Sequence, residues 1–362
     1  MILFLILFLA LILAFTMQVG VMFKKHPQKT WKILKFALGG PMVLLMGAHG
    51  DAIDRSGTEA LIPDEYTKEI IKEVPESSAV MKIARKLPNM PRHKTNMPVL
   101  SALTTAYFVN GDTGLKQTTK MEWQNKSIIA EEMAAIVPIP ESVLDDADYD
   151  IWGEIKPSIV EALGICFDQA VFYGTNAPST WPTNILASAT TASHVVALGT
   201  NDDLYDDILS DNGTLALIEN DGYDVNGHIG ALTMKSKLRS LRDLDGNPIF
   251  KSSMQEKSNY MLDGNDIIFP KNGGIDKTQS LLISGDWTKL VYAIRQDVTY
   301  KILDQAVIQD AAGNIIYNLA QQDMIAMRVV MRLGWQLPNP VNRVNLNNTT
   351  RYPFAVLTPA GG

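Results

Sequence analysis

Five histidines, His26, His49, His93, His194 and His228, and one cysteine, Cys166, are the residues from which this chain could build a metal centre or an activated nucleophile. No two histidines stand at ligand spacing, so the sequence assigns no metal. A lone cysteine excludes an intramolecular disulfide framework and any multi-thiolate zinc or iron-sulfur cluster. Cys166 falls in a helical run of apolar residues with no histidine nearby in sequence, and it is expected to pack in the core as a small hydrophobe. The patterns GxxxxGK[ST], GxSxG, HExxH and GxGxxG are all missing. Phosphate cradles, hydrolase elbows and zincin chemistry therefore have no local support.

The carboxylates are no more suggestive of catalysis. Asp243, Asp245, Gly246 and Asn247 resemble half a calcium loop, but Met254 stands where the closing acidic ligand belongs, so a polar turn is expected. Asp145, Asp146, Asp148 and Asp150 crowd the beginning of a long helical pattern, where anions suit the helix dipole; a cap with a solvated face is expected. Glu131 and Glu132 are adjacent in a strand-like run, so alternation turns one of them outward. The other, if buried, is expected to pair with an arginine of the last sheet rather than to serve as an acid or base. No catalytic, cofactor-binding or metal-binding residue is assigned, and no cofactor is expected.

The elements that carry these residues belong to a folded chain. Of 362 residues, 46% are hydrophobic and 20% charged, a globular balance, and the length allows two or three lobes. Thirty-two basic against 39 acidic side chains give a net charge of -7, the wrong sign for gripping nucleic acid through its phosphates. Residues 1–45 differ from the rest. Residues 1–23 carry no charge and are apolar enough to span a bilayer; five lysines, 24, 25, 29, 32 and 35, follow with no acid before Asp51. A secretory signal has the opposite order. Two readings stay open, a membrane anchor or an overlong gene start with translation beginning at Met42 or Met46. The second is preferred because nothing downstream reads as membrane-attached.

Beyond the leader, residues 65–74 and 77–87 have helical apolar spacing that ends at Pro88. Residues 97–127 read as a long exposed hairpin, with extended runs at 97–100 and 106–109 around Asn110-Gly111-Asp112-Thr113-Gly114; loops this long usually bind something. An apolar strand at 128–140 precedes a long helix over 149–174, in which Ile151, Ile155, Ile159, Leu163, Phe167 and Val171 mark one face. Pro157 is expected to kink that helix or mark a late start. Short helices and strands alternate over 201–276, with a strand near 229–234. From 286 the pattern is strand-like: 290–294, 298–303, 306–308, 315–319, 324–333 and 354–357.

This order of segments resembles the major capsid protein of tailed phages, the Hong Kong-97 type shell fold. The resemblance rests on Leu61-Ile62-Pro63, Ser77-Ser78, Ala106-Tyr107-Phe108-Val109 and Val137-Pro138-Ile139-Pro140-Glu141. It continues through the run from Phe167 to Gly174, Gly285-Asp286-Trp287, Tyr292-Ala293-Ile294-Arg295, the stretch 328–332 and Pro353-Phe354-Ala355-Val356-Leu357. It implies an α+β subunit: after the leader 1–45, an N-terminal arm at 46–96, an extended E-loop hairpin at 97–127, a P-domain at 128–194 with a spine helix at 149–174, an α/β A-domain at 195–285, and the P-domain sheet and C-terminus at 286–362.

The function implied is self-assembly, as hexamers and pentamers, into the icosahedral shell around the DNA of a tailed phage or prophage. The resemblance further implies a virion location after assembly in the host cytoplasm, a separate scaffolding protein and a portal as partners, and only weak, non-specific contact with packaged DNA. A membrane is a partner only if residues 1–23 are translated. Some members crosslink through a lysine and an asparagine, for which Lys116, Lys120, Asn347 and Asn348 are the candidates; ordinary exposed residues are the expectation. An encapsulin-like cargo shell shares the fold and stays open as an alternative, as does a membrane-anchored protein of unknown activity.

Overall fold

The computed structural model describes residues 77–360 apart from 110, 112, 149, 244 and 251–259. The leader, the candidate starts Met42 and Met46, the helix expected over 65–74, His26, His49 and Met254 lie outside the described residues.

Two 13-residue strands, β10 (Val291–Leu303) and β13 (Met324–Gln336), form an antiparallel ribbon, with β4 (Glu131–Pro140) on the other side of β13 and β1 (Arg85–Lys86) parallel to β10. Helix α3 (Ile151–Tyr173) lies on this sheet. Its near four-residue apolar spacing buries Ile159, Leu163, Phe167 and Val171 against Tyr292, Ile294, Met327, Val329 and Leu333. Asp150 caps it by accepting the Gly153 N–H at 3.0 Å, and Gly174, at φ 73°, ends it in a left-handed turn that only glycine adopts freely. The helix runs unbroken through Pro157; the carbonyl that the missing N–H orphans belongs to Gly153, which is exposed to water. Of the expected acidic cluster only Asp150 caps α3, because Asp145 and Asp146 end a separate short helix, α2 (Glu141–Asp146).

The helix expected over 77–87 is shorter. Helix α1 spans Ala79–Ile83, after which Ala84 turns extended and the chain joins the free edge of β10 as β1. The Leu87 and Met90 N–H groups donate to Tyr292 and Ile294 carbonyls at 2.9 Å. The start of α1 is held on α3 by Asp168, whose carboxylate accepts the Ala79 and Val80 N–H groups (2.7 and 3.1 Å) and the Ser78 hydroxyl. Gly164, one turn earlier on α3, makes room: a Cβ there would lie 2.9 Å from the Ser78 nitrogen.

A second sheet has the order β5 (Val195–Ala197), β14 (Phe354–Thr358), β9 (Leu282–Gly285), β6 (Gly227–Gly230), β8 (Asn265–Ile268) and β7 (Met261–Leu262). β6 begins two residues before the strand expected near 229–234 and ends before the helix Met234–Ser240. The C-terminal strand is also placed differently from the expectation. The sequence pattern groups β14 with the sheet of residues 286–362, but it pairs with β5 and β9 in this second sheet. Buried at four of its five residues, Phe354 to Leu357, it needs neighbours on both sides, and the ribbon offers it none.

The third paired unit is the hairpin of β2 (Lys94–Ala102) and β3 (Glu122–Ile129), joined by residues 103–121, of which the described ones form no helix or strand. The extended run expected at 106–109 is part of that loop. A small hairpin, β11 (Val307–Gln309) with β12 (Ile315–Asn318), closes the far end of the ribbon. Its turn and the Asp243 segment use the same device. Asp310 accepts the Asn314 backbone and side-chain N–H groups (2.8 and 3.0 Å), as Asp243 does from Asn247 (2.6 and 3.0 Å), with glycine at positive φ before each asparagine. The half calcium loop is thus a polar turn.

Candidate functional site

The β2–β3 hairpin is built to project. Along its root the Ala130 N–H donates to the His93 carbonyl (2.8 Å), Trp181 Nε1 to the Ile129 carbonyl (3.1 Å) and Gln336 Nε2 to the Ser127 carbonyl (2.9 Å). Gly334 of β13 sits under this corner, so close that a Cβ there would come within 2.2 Å of the Ile129 oxygen. Farther out the Val341 N–H and the Arg343 guanidinium donate to the Leu100 and Thr104 carbonyls, both at 3.0 Å. Beyond that, among the described residues, the loop is held by local bonds such as Tyr107 hydroxyl to Gln117 carbonyl (2.7 Å) and Lys120 to Glu122 (2.6 Å). Phe108 and Leu115 are 104% and 90% exposed, and Tyr107, Val109, Met121 and Trp123 are exposed beside them. An apolar cluster left in water at the end of a well-rooted arm marks a contact surface. A second exposed apolar group, Ile302, Val307, Ile315 and Ile316, covers the β11–β12 end of the ribbon.

The groups singled out for chemistry are placed elsewhere. His93 is exposed, while His194 and His228 are buried in separate places. His228 receives the Ser284 hydroxyl at Nδ1 (2.8 Å) and faces the Leu262 carbonyl with Nε2 (3.2 Å), so its proton sits on Nε2; burial lowers its pKa to about 4. His194 contacts the Phe354 carbonyl with Nδ1 (3.1 Å) and Asp221 with Nε2 (3.2 Å). Asp221 also accepts Asn345 Nδ2 and the Tyr352 N–H, both at 2.7 Å, and so tethers the segment before β14. Among the described residues no group of three His, Cys, Asp or Glu side chains converges as metal ligands.

Cys166 departs from its expected place: it is exposed, not core. The sheet beneath α3 ends at β4, and the short Ala162 and Cys166 side chains on that flank leave a groove open toward Met133. The pairing of Glu131 and Glu132 is also reversed from the expectation. The exposed Glu132 takes the arginine, accepting Arg332 Nε at 2.7 Å across the β4–β13 ladder, and the half-buried Glu131 accepts the Thr180 hydroxyl at 2.6 Å. Of the crosslink candidates, Lys116 is exposed and Lys120 pairs with Glu122. Asn347 accepts the Thr349 N–H (2.9 Å), and Asn348 accepts the Arg351 guanidinium (3.2 Å). Sequence reasoning passed over Asp168 and Arg351, both buried. The signal for the first was present, a carboxylate inside an apolar helical stripe.

No helix of the described residues is long and apolar enough to cross a membrane. Known proteins agree with a shell subunit. The chain is 28% identical over 280 residues to the major capsid protein of Staphylococcus phage 80alpha, covering 76% of this chain and 81% of that one. A solved structure from Microbacterium phage Oxtober96 superposes with a TM-score of 0.76 at 35% identity, over 85% of this chain and 100% of the other. One from Mycobacterium phage Bobi gives 0.74 at 29% identity, over 86% and 100%. The sequence profile of the phage capsid family matches residues 58–342, which include the hairpin, α3, the first sheet and every strand of the second except β14. The chain therefore belongs to the phage capsid family and is a major capsid protein of the tailed-phage kind.

Proposed function

We propose that copies of this chain assemble as hexamers and pentamers into a closed icosahedral shell around the DNA of a tailed phage or prophage. The β2–β3 hairpin acts as the E-loop that joins neighbouring subunits. The observation that carries this reading is the fully exposed Phe108 at the end of a rooted arm, an apolar surface that only a partner covers. On the same reading α3 is the spine helix of a P-domain, the second sheet with its helices is the A-domain, and β14 belongs to the A-domain. The role is structural and not catalytic, since the buried ionisable groups are engaged by core partners. The net charge of -7 suits a lining from which DNA must later leave. A separate scaffolding protein and a portal complete the assembly in the host cytoplasm.

The test is removal of residues 110–120 from the full chain. Circular dichroism should be unchanged, because a loop tip contributes little to core burial. Sedimentation and electron microscopy should show closed shells for the intact chain and none for the deletion. Normal shells from the deletion would overturn the hairpin's role, and an intact chain that stays monomeric with its scaffold would overturn the shell.

A further inference from the structure

We infer that the pocket between β3, the helix α4 (Ile185–Thr191) and the segment 336–352 binds a tetrahedral oxyanion of the phosphate class, with Lys126 and Arg351 balancing its charge. The site belongs to the single subunit, so it stands or falls independently of the shell reading above.

The pocket encloses about 330 Å³ and has Lys126, Arg351 and the hydroxyl residues Thr183, Ser188, Thr191 and Thr349 in its walls, with no Asp or Glu among them. In a chain of net charge -7 this is a local excess of positive charge. The protein neutralises neither cation. Arg351 is 2% exposed, and the groups its guanidinium meets are all uncharged: the Asn339 side-chain and backbone oxygens (3.3 and 3.2 Å), the Asn345 carbonyl (2.9 Å) and the Asn348 side-chain oxygen (3.2 Å). Nη1 makes only the bond to Asn345 and keeps a second N–H. Asp221, the acid tied to the same segment, spends its oxygens on Asn345, His194 and the Tyr352 N–H. Lys126, half-buried on β3, has no ion-pair partner among the described residues. A cation held out of water without a counter-ion is costly, and a bound anion offsets that cost.

The donors surround the space instead of following one edge of it. Lys126 lines it from β3, Ser188 and Thr191 from α4, and Thr349 and Arg351 from the C-terminal segment. A planar carboxylate accepts along one edge, whereas a tetrahedral oxyanion presents oxygens to several walls at once and suits guanidinium, ammonium and hydroxyl donors. The walls are fixed by bonds of their own. Gln336 Nε2 donates to the Ser127 carbonyl (2.9 Å), the Tyr223 hydroxyl to Asn339 Oδ1 (2.6 Å) and the Arg351 N–H to the Asn347 carbonyl (3.0 Å). A prearranged site loses little to ordering when it binds. Free inorganic phosphate and the phosphodiester of nucleic acid share this chemistry.

Isothermal titration of full-length, unassembled subunits with inorganic phosphate, at constant ionic strength in chloride, should show saturable one-to-one binding. Lys126→Gln should weaken it at least tenfold, with an unchanged circular dichroism spectrum. Lys94→Gln removes an exposed lysine at the root of the same hairpin and outside the pocket, and it should leave the affinity within twofold. Phosphate should also raise the thermal midpoint of wild type more than that of Lys126→Gln, because its general exclusion from protein surfaces acts on both alike. Competition with a single-stranded oligothymidylate separates the sources: displacement of phosphate assigns the site to nucleic acid, and no displacement assigns it to the free ion. Absence of saturable binding, equal affinity of wild type and Lys126→Gln, or an equal loss in Lys94→Gln overturns the inference.

Discussion

Acid should strengthen one contact in this protein, the one by which Asp168 of α3 holds the start of α1. Asp168 is fully buried, and burial raises its pKa from 3.8 to about 6, against the lowering effect of the Ser78 hydroxyl, the Ala79 and Val80 N–H groups and the charge of Lys82. Between pH 4 and 6 the folded protein therefore holds a proton that the unfolded chain has released. Stability from this group falls as pH rises through that window and levels off above it. A rise of about two pKa units at about 1.4 kcal/mol each comes to about 3 kcal/mol. The protonated form costs no contact, since one oxygen can donate to Ser78 while the carboxyl still accepts from Ala79 and Val80. The control is Asp168→Asn, similar in shape and without a titration. Urea unfolding of wild type and variant under non-assembling conditions at pH 7, 6, 5 and 4, followed by circular dichroism, gives their stability difference at each pH. Because the unfolded carboxyl is itself partly protonated at pH 4, that difference should move by about 2.4 of the 3 kcal/mol in favour of wild type between pH 7 and 4, with all other titrating groups cancelling between the two proteins. A difference that stays flat from pH 7 to 4 would refute the reasoning.

His228 should act in the opposite sense. Its pKa falls from 6.5 to about 4 on burial, so the unfolded chain takes up the proton first as pH drops below 6.5, and wild type should lose about 3 kcal/mol relative to His228→Gln by pH 4. Equal acid sensitivity of the two proteins would count against it. Ile159→Asp places a carboxylate on the buried face of α3 at a cost of several kcal/mol, and an unchanged thermal transition would mean that this face is not core. Gly334→Ala drives a Cβ into the Ile129 backbone at the hairpin root. It should cost about 1–3 kcal/mol, read as a lower urea midpoint, whereas a neutral result would show that the corner can move.

Features that depend on neighbours along the chain can be read before any fold is known. The apolar spacing of α3, the Asp150 cap and the Gly174 stop are all encoded within a few residues, as are the strands of the ribbon and the turn closed by Asp243 and Asn247. The projecting hairpin was legible for the same reason, as polar punctuation between two extended runs. Which surfaces meet depends on the folded chain. Residue 166 shares the helical spacing of its apolar neighbours, and it is exposed because the sheet stops at β4 and small side chains leave the flank open. Glu131 and Glu132 are alike in sequence, and the β13 register alone gives the arginine to the second of them. The apolar run at the C-terminus reads as a buried strand in either sheet, and its place between β5 and β9 is settled by free hydrogen-bonding edges more than 60 residues away in the chain. Periodicity and capping act over one or two turns of backbone, whereas sheet partners are chosen by the burial of polar edges that sequence distance does not constrain.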